Sequence, residues 1–167
     1  MVRVLQEFAG SCFPLGRLAK GFACQPSNSG GGAGGGLLIG VDRVKPRAVL
    51  EPAYDDALGV TAAFNRNLLL NVNRVLGADF APAAWRHVGL FNTALSRIEM
   101  HLEALRDTTV RWAGGERRFA ASERMHTENS YKWTLTGFED MLKRAGFVEC
   151  KAYTDPEQKF AVFWAKA

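Results

Sequence analysis

Residues 30–36 read Gly-Gly-Gly-Ala-Gly-Gly-Gly and follow Pro26-Ser27-Asn28-Ser29. A stretch almost without side chains adds nothing to a packed core, so residues 25–36 are expected to be a flexible segment that sets the folding part of the chain apart. The glycines also invite a phosphate-loop reading. Both the dinucleotide fingerprint and the Walker loop, however, need a strand before the glycines and a helix after them. Here the strand pattern comes after: Leu37-Leu38-Ile39-Gly40-Val41-Asp42 is a short apolar run ending in an acid, the pattern of a central strand buried on both faces. Before the glycines, residues 1–8 alternate well enough for a strand, although Gln6 and Glu7 are polar for a central one.

Beyond the first strand the periodicity changes twice. Ala57, Val60, Thr61, Phe64, Leu68, Asn71, Val72 and Val75 recur at three and four, which predicts one long helix over 53–76 with Gly77 as its stop. A shorter helix is expected from about Asp79, with Pro82 in its first turn. The period then becomes two, with Ile98, Met100, Leu102 and Ala104 on one side and Glu99, His101, Glu103 and Leu105 on the other. Turns at Asp107 and at Gly114-Gly115 predict a small antiparallel meander, continued by residues 125–130. Thr134-Leu135-Thr136-Gly137 opens a helix carrying Phe138, Met141, Leu142 and Ala145, and Gly146 ends it. Residues 147–153, the turn Asp155-Pro156 and residues 159–164 predict a terminal hairpin. The fold class is α/β.

A chain of 167 residues with 47% hydrophobic residues is of single-domain size and should fold. Its net charge of +4 is too small an excess to require nucleic acid. Arg111, Arg117, Arg118 and Arg124, with Trp112 and Phe119 nearby, read as a solvated strand face whose arginine stems cover apolar surface. Cys12, Cys24 and Cys150 form no CxxC pair and suit reduced, buried thiols in the cytoplasm. Neither a membrane span nor a leader pattern is present, so no membrane partner is expected. His126-x-Glu128 begins like a zinc-deaminase signature but lacks the following Pro-Cys-x-x-Cys, so no metal is expected. With no GxSxG and no HExxH, hydrolase readings have no anchor. Tyr54-Asp55-Asp56 stands at a helix entrance, where the acids can cap free N–H groups. His126-Thr127-Glu128-Asn129-Ser130-Tyr131-Lys132 sets seven hydrogen-bonding side chains in a row, a density that suggests a site.

Taken together, Leu37 to Asp42, Ala53-Tyr54-Asp55-Asp56, Gly59-Val60-Thr61-Ala62-Ala63-Phe64-Asn65, Arg97-Ile98-Glu99-Met100-His101-Leu102 and the 126–132 run resemble the histidine-specific, S-adenosylmethionine-dependent N-methyltransferase family. The resemblance extends from about residue 36 to the C-terminus. It is weak over Phe8-Ala9-Gly10-Ser11-Cys12-Phe13, which is similar to the family's Phe-Leu-Gly-Ser-Thr-Ile, and Pro14-Leu15 stand where the family has Gly-Asn.

That resemblance implies the C-terminal half of a class I, Rossmann-like methyltransferase sheet with an inserted antiparallel β-meander, residues 1–167 forming a single partial methyltransferase domain. It implies methyl transfer from S-adenosylmethionine to the α-amine of histidine, with the cofactor site upstream of this chain. By resemblance Glu128 and Ser130 bind the imidazole, Tyr54 the carboxylate end, and Met100 lines the pocket. None is a nucleophile, so the protein positions and does not react. Without the family, Met100 reads as core beside Ile98 and Leu102, and Tyr54 as a staple of the helix entrance. The partner is a small amino acid, and a sheet edge without its neighbour invites self-association. A non-catalytic amino-acid-binding or interaction module of the same descent is the alternative.

Overall fold

The computed structural model describes residues 36–166. The expected strand over 1–8, the weak motif over 8–13, Cys12, Cys24 and the glycine-rich segment up to residue 35 lie outside the described residues. In chain order the elements are β1 (Gly36–Asp42), α1 (Arg47–Tyr54), α2 (Val60–Leu76), a 3₁₀ turn (Pro82–Ala84), β2 (Trp85–Asn92), β3 (Arg97–Ala104), β4 (Thr108–Trp112), β5 (Gly115–Phe119), β6 (Arg124–Tyr131), α3 (Leu135–Arg144), β7 (Glu149–Thr154) and β8 (Phe160–Lys166). The class is mixed α/β, as expected. The described residues fall into two compact units, Pro46–Ser130 and residues 36–45 with 131–166.

In the second unit the sheet order is β1-β8-β7, antiparallel at both pairings. The terminal hairpin forms as expected. Thr134 caps α3 by accepting the Gly137 N–H at 3.0 Å, and Gly146, at φ 99°, follows the helix end. Phe138 and Leu142 of α3 pack with Val41, Ala161, Phe163 and Ala165 in one core cluster. The burial expected of β1 on both faces is not found. Among the described residues it lies at one end of this sheet, and Leu38 is 71% exposed while Val41 is buried. A short unbroken apolar run fits a one-faced strand as well as a two-faced one, and here α3 packs on the face that carries Leu37, Ile39 and Val41.

In the first unit β3 lies between β2 and β6, and β4 pairs with β5 as a separate hairpin. The alternation expected of β3 holds: Ile98, Met100, Leu102 and Ala104 are all buried. Phe80, Trp85 and Phe119 pack together in the core of this unit, with Trp85 and Phe119 edge to face at 5.0 Å. Each such ring contributes roughly 1.5–3 kcal/mol by leaving water. The four arginines expected on a solvated face are all paired, Arg111 with Glu116, Arg117 with Glu123, Arg118 with Asp107 and Arg124 with Glu103. The Arg117 guanidinium also lies 4.4 Å from the centre of the Phe119 ring, over its face.

Four expectations fail here. The helix predicted near Asp79 is only the turn Pro82–Ala84, because Trp85–Asn92 pairs residue for residue with β3, from Trp85 opposite Ala104 to Asn92 opposite Arg97. The segment expected to continue the meander, β6, instead joins the free side of β3, where Glu103 meets Arg124 and His101 stacks on His126. The single helix over 53–76 is two helices, broken where Gly59 takes a left-handed φ of 71°. Asp56 fills that break, accepting the N–H groups of Val60 at 3.0 Å and Thr61 at 2.8 Å, the capping role read for it. Finally α2 buries Asn65, Leu69 and Val72, whereas Val60, Phe64 and Val75 of the expected stripe are exposed. Asn65 turns the helix, since its amide has polar partners only on the sheet side. Gly77 ends α2 as expected, in the left-handed region.

Candidate functional site

All four residues singled out by the resemblance fall in the first unit. Tyr54 is the last residue of α1, Met100 sits in β3, and Glu128 and Ser130 belong to β6. The Tyr54 hydroxyl lies 2.7 Å from Ser130 Oγ, a hydrogen bond that joins the end of α1 to β6 across 76 residues. Met100 is buried with Leu50 and Ile98, and the half-buried Tyr54 and Phe91 pack against the same cluster. The methionine backbone is held as well, its carbonyl accepting the Thr127 hydroxyl at 2.9 Å. Tyr54, Met100 and Ser130 thus converge. Glu128 stands two residues before Ser130, and its carbonyl accepts from His126 Nε2 at 3.1 Å. Period two sets the Glu128 and Ser130 side chains on the same side of the strand.

What holds Tyr54 was not legible as a site in the sequence. The carbonyl of a helix-terminal residue has no intrahelical partner. Here it accepts from His87 Nε2 of β2 at 2.6 Å. His87 Nδ1 lies 2.9 Å from Asn65 Nδ2 of α2, and the same amide donates to the His101 carbonyl at 3.1 Å. Asn65 and His87 are both buried. Gly89 permits the approach, since a Cβ there would sit 3.0 Å from the Tyr54 carbonyl oxygen. Glu51 makes a second tie between α1 and β2 by accepting the Phe91 N–H at 2.9 Å. A lone asparagine beside a helix stripe and a lone histidine in an apolar stretch gave no periodic signal.

The polar side of β3 and β6 carries a charged ladder. Glu99 takes Arg97 at 2.6 Å and 2.8 Å and Asn92 at 3.1 Å on the same oxygen. Burial pushes its carboxyl up, but these partners hold it below the usual carboxylate range. His101 stacks on His126 at 4.8 Å between ring centres. Burial, with the nearby charges of His126, Arg124 and Arg97, lowers the His101 pKa to about 4 against the opposing pull of Glu99. Glu99, His101 and His126 bring one ligand atom each to within 4.8 Å of one another. Arg97 neutralises the carboxylate and Arg124 adds a further positive charge, so the set is poorly matched to a metal ion.

A model of the histidine-specific, S-adenosylmethionine-dependent methyltransferase family matches residues 19–167. The chain belongs to this family. Among curated relatives, the histidine N-alpha-methyltransferase of Mycolicibacterium smegmatis is 45% identical over 131 residues, covering 77% of this chain and 41% of that protein. The histidine N-alpha-methyltransferase of Mycobacterium tuberculosis is 42% identical over the same shares. Ergothioneine biosynthesis protein 1 of Neurospora crassa is 30% identical over 71% of this chain and 13% of its own length. The chain therefore spans about two-fifths of the length of the bacterial relatives it matches.

The family depends on S-adenosylmethionine, and the described residues do not fit that cofactor. An adenosine ribose needs an acid at a strand end with a carboxylate to offer. Asp42, at the end of β1, is committed to Lys45 and, at 2.7 Å, to the buried Lys132. A cleft on the first unit, lined by Leu68, Leu69, Leu102, Met125, His126 and Thr127, is almost wholly apolar. No described helix is long and apolar enough to cross a membrane.

Proposed function

We propose that this chain carries the substrate-reading part of a histidine N-alpha-methyltransferase, as one part of a single methyltransferase domain whose cofactor half lies in sequence not represented here. Glu128 accepts the imidazole N–H, Ser130 serves the other ring nitrogen, Tyr54 faces the carboxylate end, and Met100 forms the wall. The observation that carries the reading is the Tyr54–Ser130 hydrogen bond of 2.7 Å beside the Met100 cluster, in a chain of this family. Two hydroxyls that share one hydrogen bond retain one proton to donate between them. Ser130 donating to a ring nitrogen and Tyr54 donating to a carboxylate at once therefore requires their mutual bond to break or the imidazole to give a proton to Ser130.

The sheet supports a class I assignment for the second unit. In the class I order 3-2-1-4-5-7-6 the fifth, seventh and sixth strands are neighbours. The order β1-β8-β7 has the same sequence relationship. The first unit then corresponds to the inserted antiparallel part. Its substrate is a small amino acid, with no nucleic acid or membrane partner, in the cytoplasm.

The test joins this chain to the N-terminal part of the M. smegmatis relative and incubates it with S-adenosylmethionine and L-histidine. Mass spectrometry should find histidine methylated at the α-amine. A folded chimera that binds the cofactor and leaves histidine unchanged would refute the proposal.

A further inference from the structure

We infer that His87 is a positioning residue for the substrate site: held in one tautomer by Asn65, it fixes the Tyr54 backbone and, through it, the hydroxyl that meets Ser130. The inference rests on the reading of Tyr54 as a substrate contact. The Asn65 amide nitrogen has only protons to offer, and it faces both the His101 carbonyl at 3.1 Å and His87 Nδ1 at 2.9 Å. Nδ1 must therefore accept, which leaves the proton on Nε2, the nitrogen 2.6 Å from the Tyr54 carbonyl. Each N–H proton of the relay has one acceptor. One buried amide thereby ties α2, β2 and β3 together, and one imidazole hands that rigidity to the end of α1.

Tyr54 needs such a brace. It is the final residue of α1, where helices fray and orphan carbonyls turn to water. A carbonyl free to rotate would let the ring swing away from Ser130. Gly89, lacking a Cβ, leaves the space this bond needs, since a Cβ there would sit 3.0 Å from the Tyr54 carbonyl oxygen and 3.5 Å from His87 Nε2. The role is positional because His87 reaches the tyrosine backbone, not its hydroxyl.

Glutamine and asparagine separate the two nitrogens. A glutamine amide nitrogen reaches the place of Nε2, whereas asparagine reaches only that of Nδ1. The full chain is labelled with ¹³C-tyrosine, giving three ring signals, from Tyr54, Tyr131 and Tyr153. His87→Asn should shift the Tyr54 signal and leave the other two in place, and it should weaken L-histidine binding roughly tenfold or more. His87→Gln should restore both within about threefold. Gly89→Ala, which crowds the same carbonyl while keeping Nε2, should move the Tyr54 signal as well and stands in if His87→Asn does not fold. An unmoved Tyr54 signal in His87→Asn, or in Gly89→Ala where the former is unfolded, overturns the inference. Tyr54→Phe separates the two layers. If it leaves histidine binding unchanged, the reading of Tyr54 fails. If it weakens binding while His87→Asn does not, only the positioning role fails.

Discussion

Replacing His101 by phenylalanine should remove most of the chain's loss of stability between pH 7 and pH 5. The imidazole side chain is 12% exposed, and its Nδ1 has no hydrogen-bond partner among the described residues. Burial and the charges of His126, Arg124 and Arg97 lower its pKa from 6.5 to about 4, outweighing Glu99. At pH 7 the ring is neutral both folded and unfolded. As the pH falls through 6.5 the unfolded chain takes up a proton that the folded chain refuses, so the unfolded state binds more protons and stability drops. The contribution lost is about 2 kcal/mol at pH 5 and about 3 kcal/mol near pH 4. Carboxylates with lowered pKa, among them Glu99 and Asp42, lose their contribution only as the pH falls below their ordinary values of 4.5 and 3.8. The window from pH 7 to 5 therefore isolates histidine. Urea unfolding at both pH values gives the assay. The wild-type loss should exceed the His101→Phe loss by about 2 kcal/mol. Equal losses, within about 0.5 kcal/mol, would refute the argument.

Two further outcomes follow from the fold. Asp56→Ala should lower the melting temperature and the helix content, because it strips the N-terminus of α2 of its cap. Since the Thr61 and Val60 N–H groups hold the Asp56 pKa down to about 2, that contribution is present above pH 3.8 and fades toward pH 2, which acid titration followed by circular dichroism will read. The purified chain should also self-associate through apolar surface such as Leu38, Leu58 and Phe64, with light scattering giving masses above the monomer. A stable monomer at high concentration would count against the partial-domain reading.

Local signals survive into the structure wherever one element decides its own shape. The Thr134 cap, the α3 stripe, the Gly77 and Gly146 stops and the alternation along β3 are of this kind. Failures cluster where a partner distant in sequence decides. Trp85–Asn92 becomes a strand because β3 offers it a matching ladder, and β6 leaves the β4–β5 hairpin for the same reason. The buried face of α2 follows the Asn65 amide, a polar group that hydrophobic periodicity counts as solvent-facing. Tyr54, Met100, Glu128 and Ser130 stand out through the family motifs. Composition alone marked only the 126–132 run. The His87–Asn65 relay had no signal at all, because its meaning arises only when three elements meet.

Glu128 is proposed to read an imidazole. The most direct test measures L-histidine and L-phenylalanine affinities, wild type against Glu128→Ala, in the chain joined to a family N-terminal part. Removing a charged acceptor should cost histidine on the order of 1.5 to 3 kcal/mol, roughly ten- to 150-fold, while phenylalanine loses little or gains. Equal losses for the two amino acids would show that Glu128 supports the fold and does not read the substrate.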